Sequence, residues 1–191
     1  MAGAIVVSGD KFRVLKLVPV DSSHRPDKPD NVLSRKATVR NCKAQASFVG
    51  AFWSSGPAPL GYGDGDEATV ISFGPDANNK YITTYFRRSF SVTNASTYTN
   101  LTLRLLRDDG AVVYLNGVEV FRSNMPAGPI TFTTLASTDV SGAAENTFVT
   151  ASLNPALLVN GTNVLAVEVH QSAPNSDDLS FDLELVGIRT P

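Results

Sequence analysis

From Ala68 onward the chain is built of short runs in which apolar and polar residues alternate. Leu101, Leu103 and Leu105 alternate with Thr102 and Arg104; Leu165, Val167 and Val169 with Ala166, Glu168 and His170; and Phe181, Leu183 and Leu185 with Asp182 and Glu184. A period of two puts every second side chain on the same face of a strand, so each run buries one face and turns the other outward. The expected strands are Thr69–Phe73, Tyr81–Val92, Asn100–Arg107, Ala111–Leu115, Val118–Phe121, Ile130–Thr134, Asn146–Ser152, Asn163–His170 and Ser180–Gly187. Short strands at a spacing of about ten residues, with turn residues between them, predict an all-β fold, an antiparallel β-sandwich. Nowhere does the pattern shift to the period of a long amphipathic helix.

The turn chemistry agrees. Asn116-Gly117 lies between two apolar runs and predicts a tight hairpin, because both central residues of such a turn need positive φ. Asp109-Gly110 and Asn160-Gly161 are expected to be further sharp turns. Asn154-Pro-Ala-Leu-Leu158 reads as one helical turn, with Asn154 as its cap and Pro155 at the first helical position.

Composition bounds the function classes. The 191 residues are enough for one domain, or a domain plus an arm, and with 42% hydrophobic and 18% charged residues a sizeable core is available. A formal net charge of −2 disfavours nucleic acid as a partner. No apolar run approaches the roughly 18 residues that span a bilayer, so a membrane partner is not expected either. The single cysteine, Cys42, excludes an intrachain disulfide. One Cys and two His (His24, His170) also exclude an ordinary zinc site, whereas an oxygen-ligand site for calcium remains open.

Charge divides the chain near residue 45. Residues 1–45 hold nine Lys/Arg against four Asp, a net of +5, and the rest holds seven against fourteen acids, a net of −7. The front has Phe12 as its only aromatic residue, and the run Asp21-Ser-Ser-His-Arg-Pro-Asp-Lys-Pro-Asp30 favours a turn-rich, extended path. Residues 1–45 are therefore expected to form an irregular N-terminal segment docking on a sandwich of residues 46–191.

Two stretches, Leu106-Arg-Asp-Asp-Gly-Ala-Val-Val-Tyr-Leu-Asn-Gly-Val-Glu-Val120 and Leu157-Leu-Val-Asn-Gly-Thr-Asn-Val-Leu-Ala-Val-Glu-Val-His170, are more specific. A "VYLNG" hairpin followed by "NGxNxLAVEV", with Tyr85-Phe-Arg-Arg-Ser-Phe90 ahead of them, resembles the galactose-binding-like jelly roll. More narrowly, Trp53–Asp64, Tyr85–Phe90, Asp108–Gly117, Ala166–Gln171 and Asp178–Leu185 resemble, in order, motifs of modules appended to secreted bacterial polysaccharide-degrading enzymes and metallophosphoesterases. The resemblance covers roughly residues 47–187. The front departs from it, since residues 10–46 contain no Trp or Tyr. The resemblance implies a carbohydrate-binding module exported with a parent enzyme; it is much less specific for a ligand, because one fold hosts many functions.

Sugars are held by aromatic faces and by planar polar side chains. The candidate contacts are Trp53, Tyr62, Arg87, Asp109, Tyr114, His170, Gln171 and Asp178. Trp53 is either a platform or a loop anchor. Tyr62 sits between Gly61 and Gly63, where a tight backbone could present its ring, and Tyr114 is expected to project from the sheet. Asp109 belongs either to a turn, to a calcium site or to a sugar contact, and His170-Gln171 ends a strand at the rim. Jelly rolls of this kind often hold a structural calcium near the final strand, which the resemblance places at Asp182. A second acidic cluster is Asp64, Asp66 and Glu67. No G-x-S-x-G, H-E-x-x-H or G-x-x-x-x-G-K-[ST] occurs. The expected function is non-catalytic: binding β-glucan, cellulose or hemicellulose and tethering a catalytic domain, with no required cofactor. The alternative is an accessory domain that packs against a catalytic domain and binds nothing itself.

Overall fold

The inward positions of the alternating runs build the core directly. Leu101, Leu103, Leu105, Leu165, Val167, Val169, Phe181, Leu183 and Leu185 are all buried in one apolar cluster. The protein is described from a computed structural model that covers residues 4–7, 12–15 and 53–189, with side chains from Ser54 onward. Among the described residues, twelve strands form two six-stranded sheets. One sheet has the order β10 (Val149–Leu153), β7 (Tyr98–Arg107), β12 (Leu179–Arg189), β4 (Leu60–Tyr62) and β5 (Thr69–Val70), with β1 (Ala4–Val7) also pairing with β12. The other runs β3 (Trp53–Gly56), β2 (Phe12–Leu15), β6 (Thr83–Val92), β11 (Gly161–His170), β8 (Gly110–Leu115) and β9 (Val118–Ser123). All pairings are antiparallel except the short β4–β5 pair.

The two sheets face each other across this core. Phe86 of β6 and Phe181 of β12, both essentially inaccessible, stack with ring centroids 4.0 Å apart and planes at 17°. Each contributes on the order of 1.5–3 kcal/mol by leaving water. The expected β-sandwich is therefore observed. Residues 4–7 and 12–15, expected to be irregular, each add a strand to one of the sheets; the charge seam near residue 45 and the run from 21 to 30 lie outside the described residues.

Local chemistry explains the connections. Asn116 and Gly117 take φ of 51° and 83° in the β8–β9 hairpin, as its two-residue turn requires. The Asn154 side chain accepts from the Ala156 N–H and caps a 3-10 turn at Pro155–Leu157. The Asn146–Ser152 strand begins only at Val149, because the preceding residues form a turn in which Glu145 N–H and Thr147 N–H donate to Gly142 and Ala144. The expected strand Ile130–Thr134 is a turn. Thr134 N–H donates to the Thr131 carbonyl while the Thr134 hydroxyl accepts from the Thr131 N–H, so local hydroxyl bonding replaces a strand ladder.

Asp109-Gly110 turns sharply, but not as a hairpin. Asp108 and Asp109 are the two residues that carry the chain from β7 in one sheet to β8 in the other. Gly110 does not have a positive φ; it is required for close approach. A Cβ there would lie 2.5 Å from Met125 Sδ, 2.8 Å from the Asn124 carbonyl and 2.9 Å from Ala136 Cβ. Gly110→Ala is expected to destabilise the fold by about 1–3 kcal/mol through overpacking, seen as a lower urea midpoint with an unchanged denaturant slope.

Candidate functional site

Strands β4, β7 and β11 end, and β6, β8 and β12 begin, at one rim of the sandwich. The polar residues singled out by sequence gather there or on the adjoining outer face of the β6–β11–β8 sheet. The odd positions of β11 face the core, which turns Ala166, Glu168 and His170 to the other side. Register sets Glu168 beside Tyr85 and Val112, and Ala166 beside Arg87 and Tyr114. Tyr85, Arg87, Tyr114, Glu168 and His170 thus share the face away from the core, and all are buried. The Tyr114 hydroxyl donates to Glu168 Oε1 at 2.5 Å, and His170 Nε2 lies 3.7 Å from Glu168 Oε2. Burial and the Glu168 carboxylate both push the Tyr114 phenol upward. Tyr114 projects on the expected side of the sheet, but it packs with Val112, Ala166, Met125 and Ile130.

His170 is held rather than presented. Its Nδ1 lies 2.7 Å from the Thr134 carbonyl, which can only accept, so this nitrogen carries the hydrogen. The same nitrogen is 2.9 Å from the Thr83 hydroxyl, which in turn donates to the Phe132 carbonyl. These bonds fold the segment between Asn124 and Ser141 over the end of β11 and leave the Phe132 ring 57% exposed. Phe132 escaped the sequence reading because it was placed within a strand.

Asp109 organises the rim. Its side chain is fully buried, and its carboxylate accepts from the Val140 N–H and the Ser172 N–H, both at 2.7 Å. Its carbonyl accepts from the Asn124 side chain, whose left-handed φ of 53° starts the covering loop. Gln171, also fully buried, donates to the Tyr62 hydroxyl at 2.7 Å and to the Asp178 carbonyl at 2.6 Å. Tyr62 packs edge-on against Phe73, and burial pushes its phenol up to about 12. Tyr62, Asp109, His170 and Gln171 are therefore internal struts of the rim, with almost no surface to offer a polymer. Arg87 is 5% exposed. Trp53 starts β3, and its side chain lies outside the described residues.

The acids of the rim form a second group. Carboxylate oxygens of Asp64, Glu145 and Asp178 all lie within 4.8 Å of one another. Asp108, fully buried, places its carboxyl against those of Asp109 and Asp178, with which its neutral form shares hydrogen bonds. Burial first, then the neighbouring Asp109 and Asp178, hold the Asp108 carboxyl well above the usual carboxylate range; burial also raises Asp178. The cluster read from sequence as Asp64, Asp66 and Glu67 is divided: Glu67 accepts from the Asp64 and Gly65 N–H groups and so closes its own loop. Asp182 lies on the outer face of β12 next to Glu184, which pairs with Arg104 at 2.7 Å. Its Oδ1 accepts from the Leu183 N–H, and it does not belong to the acidic group at the rim. Glu145 had no signal in the sequence, because it stands alone in a polar loop.

With this geometry established, the chain can be set beside known proteins. No protein-family model matches it, and no curated protein matches it. Solved structures do match. Bacteroides uniformis β-glucuronidase 2, covalently bound to cyclophellitol-6-carboxylate aziridine, superposes with a TM-score of 0.54 at 16% identity, covering 98% of this chain and 18% of that one. Another Bacteroides uniformis β-glucuronidase structure gives 0.53 at 16% identity, with the same coverage. A Ruminococcus gnavus β-glucuronidase in complex with D-glucuronic acid gives 0.50 at 12%, covering 97% of this chain and 30% of that one. The likeness is one of fold. This chain corresponds to a domain-sized part of much longer β-glucuronidase chains.

The strut role of Asp109 makes a direct prediction. Asp109→Ala strands two backbone donors and is expected to cost about 1–3 kcal/mol of stability, measured by chemical denaturation. Asp109→Asn is expected to cost less, because the amide keeps one acceptor.

Proposed function

We propose that this chain is a non-catalytic accessory module of a larger carbohydrate-active enzyme, and that it holds its parent on a polysaccharide of the β-glucan, cellulose or hemicellulose type. The observation that carries the proposal is the near-complete superposition of the chain on a small part of several β-glucuronidases. The ordered motifs from Trp53 to Leu185 support it independently. The contact surface in this reading is the loop that carries Phe132, beside the outer face of the β6–β11–β8 sheet. Phe132 supplies an exposed ring for stacking on sugar C–H faces. Each contact is weak, and the gain comes from raising the local concentration of the parent enzyme at its substrate.

A second reading is favoured by a specific observation. Tyr62, Asp109, His170 and Gln171 are buried and occupied by internal hydrogen bonds. A rim so committed to its own loops also suits a domain that packs against a catalytic domain and binds no sugar.

Native affinity electrophoresis against cellulose, xylan, xyloglucan, mannan and mixed-linkage glucan separates the two. Tethering predicts retardation by a subset of these polymers. Phe132→Ala should weaken it by about tenfold, equivalent to roughly 1.4 kcal/mol, with thermal stability unchanged because the ring is exposed. Tyr114→Phe, which keeps the buried ring, should leave retardation intact. Migration unaffected by every polymer would overturn tethering to these polymers and favour the packing role.

A further inference from the structure

We propose that the folded chain modifies itself at Asn160-Gly161, converting the Asn160 amide to aspartate and isoaspartate, and that its fold protects the other Asn-Gly pair, Asn116-Gly117. An asparagine before a glycine can cyclise, because glycine carries no side chain to shield the backbone nitrogen that follows the amide. The Gly161 nitrogen, its proton lost to hydroxide, attacks Asn160 Cγ. The new N–C bond closes a five-membered imide, the Cγ–Nδ2 bond breaks, and Nδ2 leaves as ammonia with a proton drawn from water. Water then opens the imide at either carbonyl, which gives aspartate or, with the main chain rerouted through the side chain, isoaspartate. Water and hydroxide are the only co-reactants.

The structure treats the two pairs differently. Asn160 and Gly161 are both exposed, and a Cβ placed on Gly161 would meet nothing within 4 Å, so the surroundings of this peptide are open. Asn160 Oδ1 accepts from the Ala95 N–H at 2.8 Å. Negative charge collects on this oxygen when Cγ is attacked, and a fixed donor there stabilises it. Among the described residues, no acceptor holds the departing Nδ2. Asn116 is the contrast. Its Nδ2 donates to the Leu157 carbonyl at 2.9 Å and to Asn163 Oδ1 at 2.8 Å, while its Oδ1 accepts from the Val164 N–H at 2.9 Å. Its backbone N–H donates to the Val164 carbonyl at 2.9 Å. Both ends of the amide are held, so Cγ cannot turn toward the Gly117 nitrogen without breaking these side-chain bonds.

The position of Asn160 gives the change a structural consequence. Ala95 opens the 3-10 turn between β6 and β7, and Gly161 opens β11, pairing there with Val92. Aspartate keeps an acceptor for the Ala95 N–H. Isoaspartate adds a carbon to the main chain just ahead of Gly161 and displaces that acceptor, which loosens the end of the sandwich opposite the rim.

The test incubates the full folded chain in mildly alkaline buffer beside a sample held unfolded in guanidinium chloride. Each Asn-Gly pair is followed by peptide mass spectrometry, and isoaspartate is scored by enzymatic methylation. In denaturant the two pairs should convert at similar rates. In the folded chain Asn160 should convert at least about tenfold faster than Asn116, the cost of freeing the held amide, and both products should appear. Asn160→Gln should abolish conversion at that position, because the longer side chain would have to close a less favourable six-membered ring, and should leave Asn116 as slow as before. The purified isoaspartate form should melt about 2–4 °C below the unmodified chain, as expected for the loss of one hydrogen bond, whereas Asn160→Asp should melt close to the parent. No conversion at Asn160 over a period in which the unfolded sample converts would overturn the proposal. So would conversion of Asn116 as fast as Asn160 in the folded chain. An isoaspartate form as stable as the parent would overturn the loosening.

Discussion

The structure depends on a passage of two residues. At Arg107 the chain leaves one sheet, and at Gly110 it enters the other, with only Asp108 and Asp109 between them. So short a crossing holds both side chains inside the rim, and both are fully buried. A buried carboxylate must find donors or a cation. Asp109 finds its donors in the backbone of two loops, which fixes the Asn124–Ser141 segment and the Ser172–Asp178 segment against the sheet ends. Asp108 lies instead against the carboxyls of Asp109 and Asp178, and burial together with these neighbours holds it well above the usual carboxylate range.

The rest of the rim follows from this asymmetry. Once Asp109 has drawn the loops in, Gln171 can bridge the Tyr62 hydroxyl and the Asp178 carbonyl, and the Thr134 carbonyl can meet His170. Polar residues that alternation alone would turn toward solvent are thereby enclosed on the outer face of the β6–β11–β8 sheet. What remains outside is a different set: the Phe132 ring and the carboxylates of Asp64, Glu145 and Asp178. The surface chemistry of the molecule is therefore that of its loops, carried on a sandwich whose interior is conventional.

The core was legible because its signal is local. Leu101, Leu103 and Leu105 declare their face by alternation, and the hairpin at Asn116-Gly117 and the cap at Asn154 are set by residues a few positions apart. The failures were of another kind. Ile130–Thr134 has strand-like residues, but threonine hydroxyls competed successfully for its backbone. Asp109-Gly110 does turn sharply as expected, but alternation carried no sign that its two flanking strands belong to different sheets. Tyr62 and His170 have the residue types of a sugar site, but whether a ring stacks on a ligand or packs edge-on against Phe73 depends on which loops fold over it.

The sequence by itself determined the all-β class, the inward faces of β7, β11 and β12, and the sharp turns, since each follows from a period of two or from the φ preference of one or two residues. Only the tertiary structure decided that Asp64, Glu145 and Asp178 meet, and that Asp109 and Gln171 are struts. These encounters join residues far apart in the chain. They are set by the order in which the strands enter the two sheets, about which alternation along a single strand carries no information.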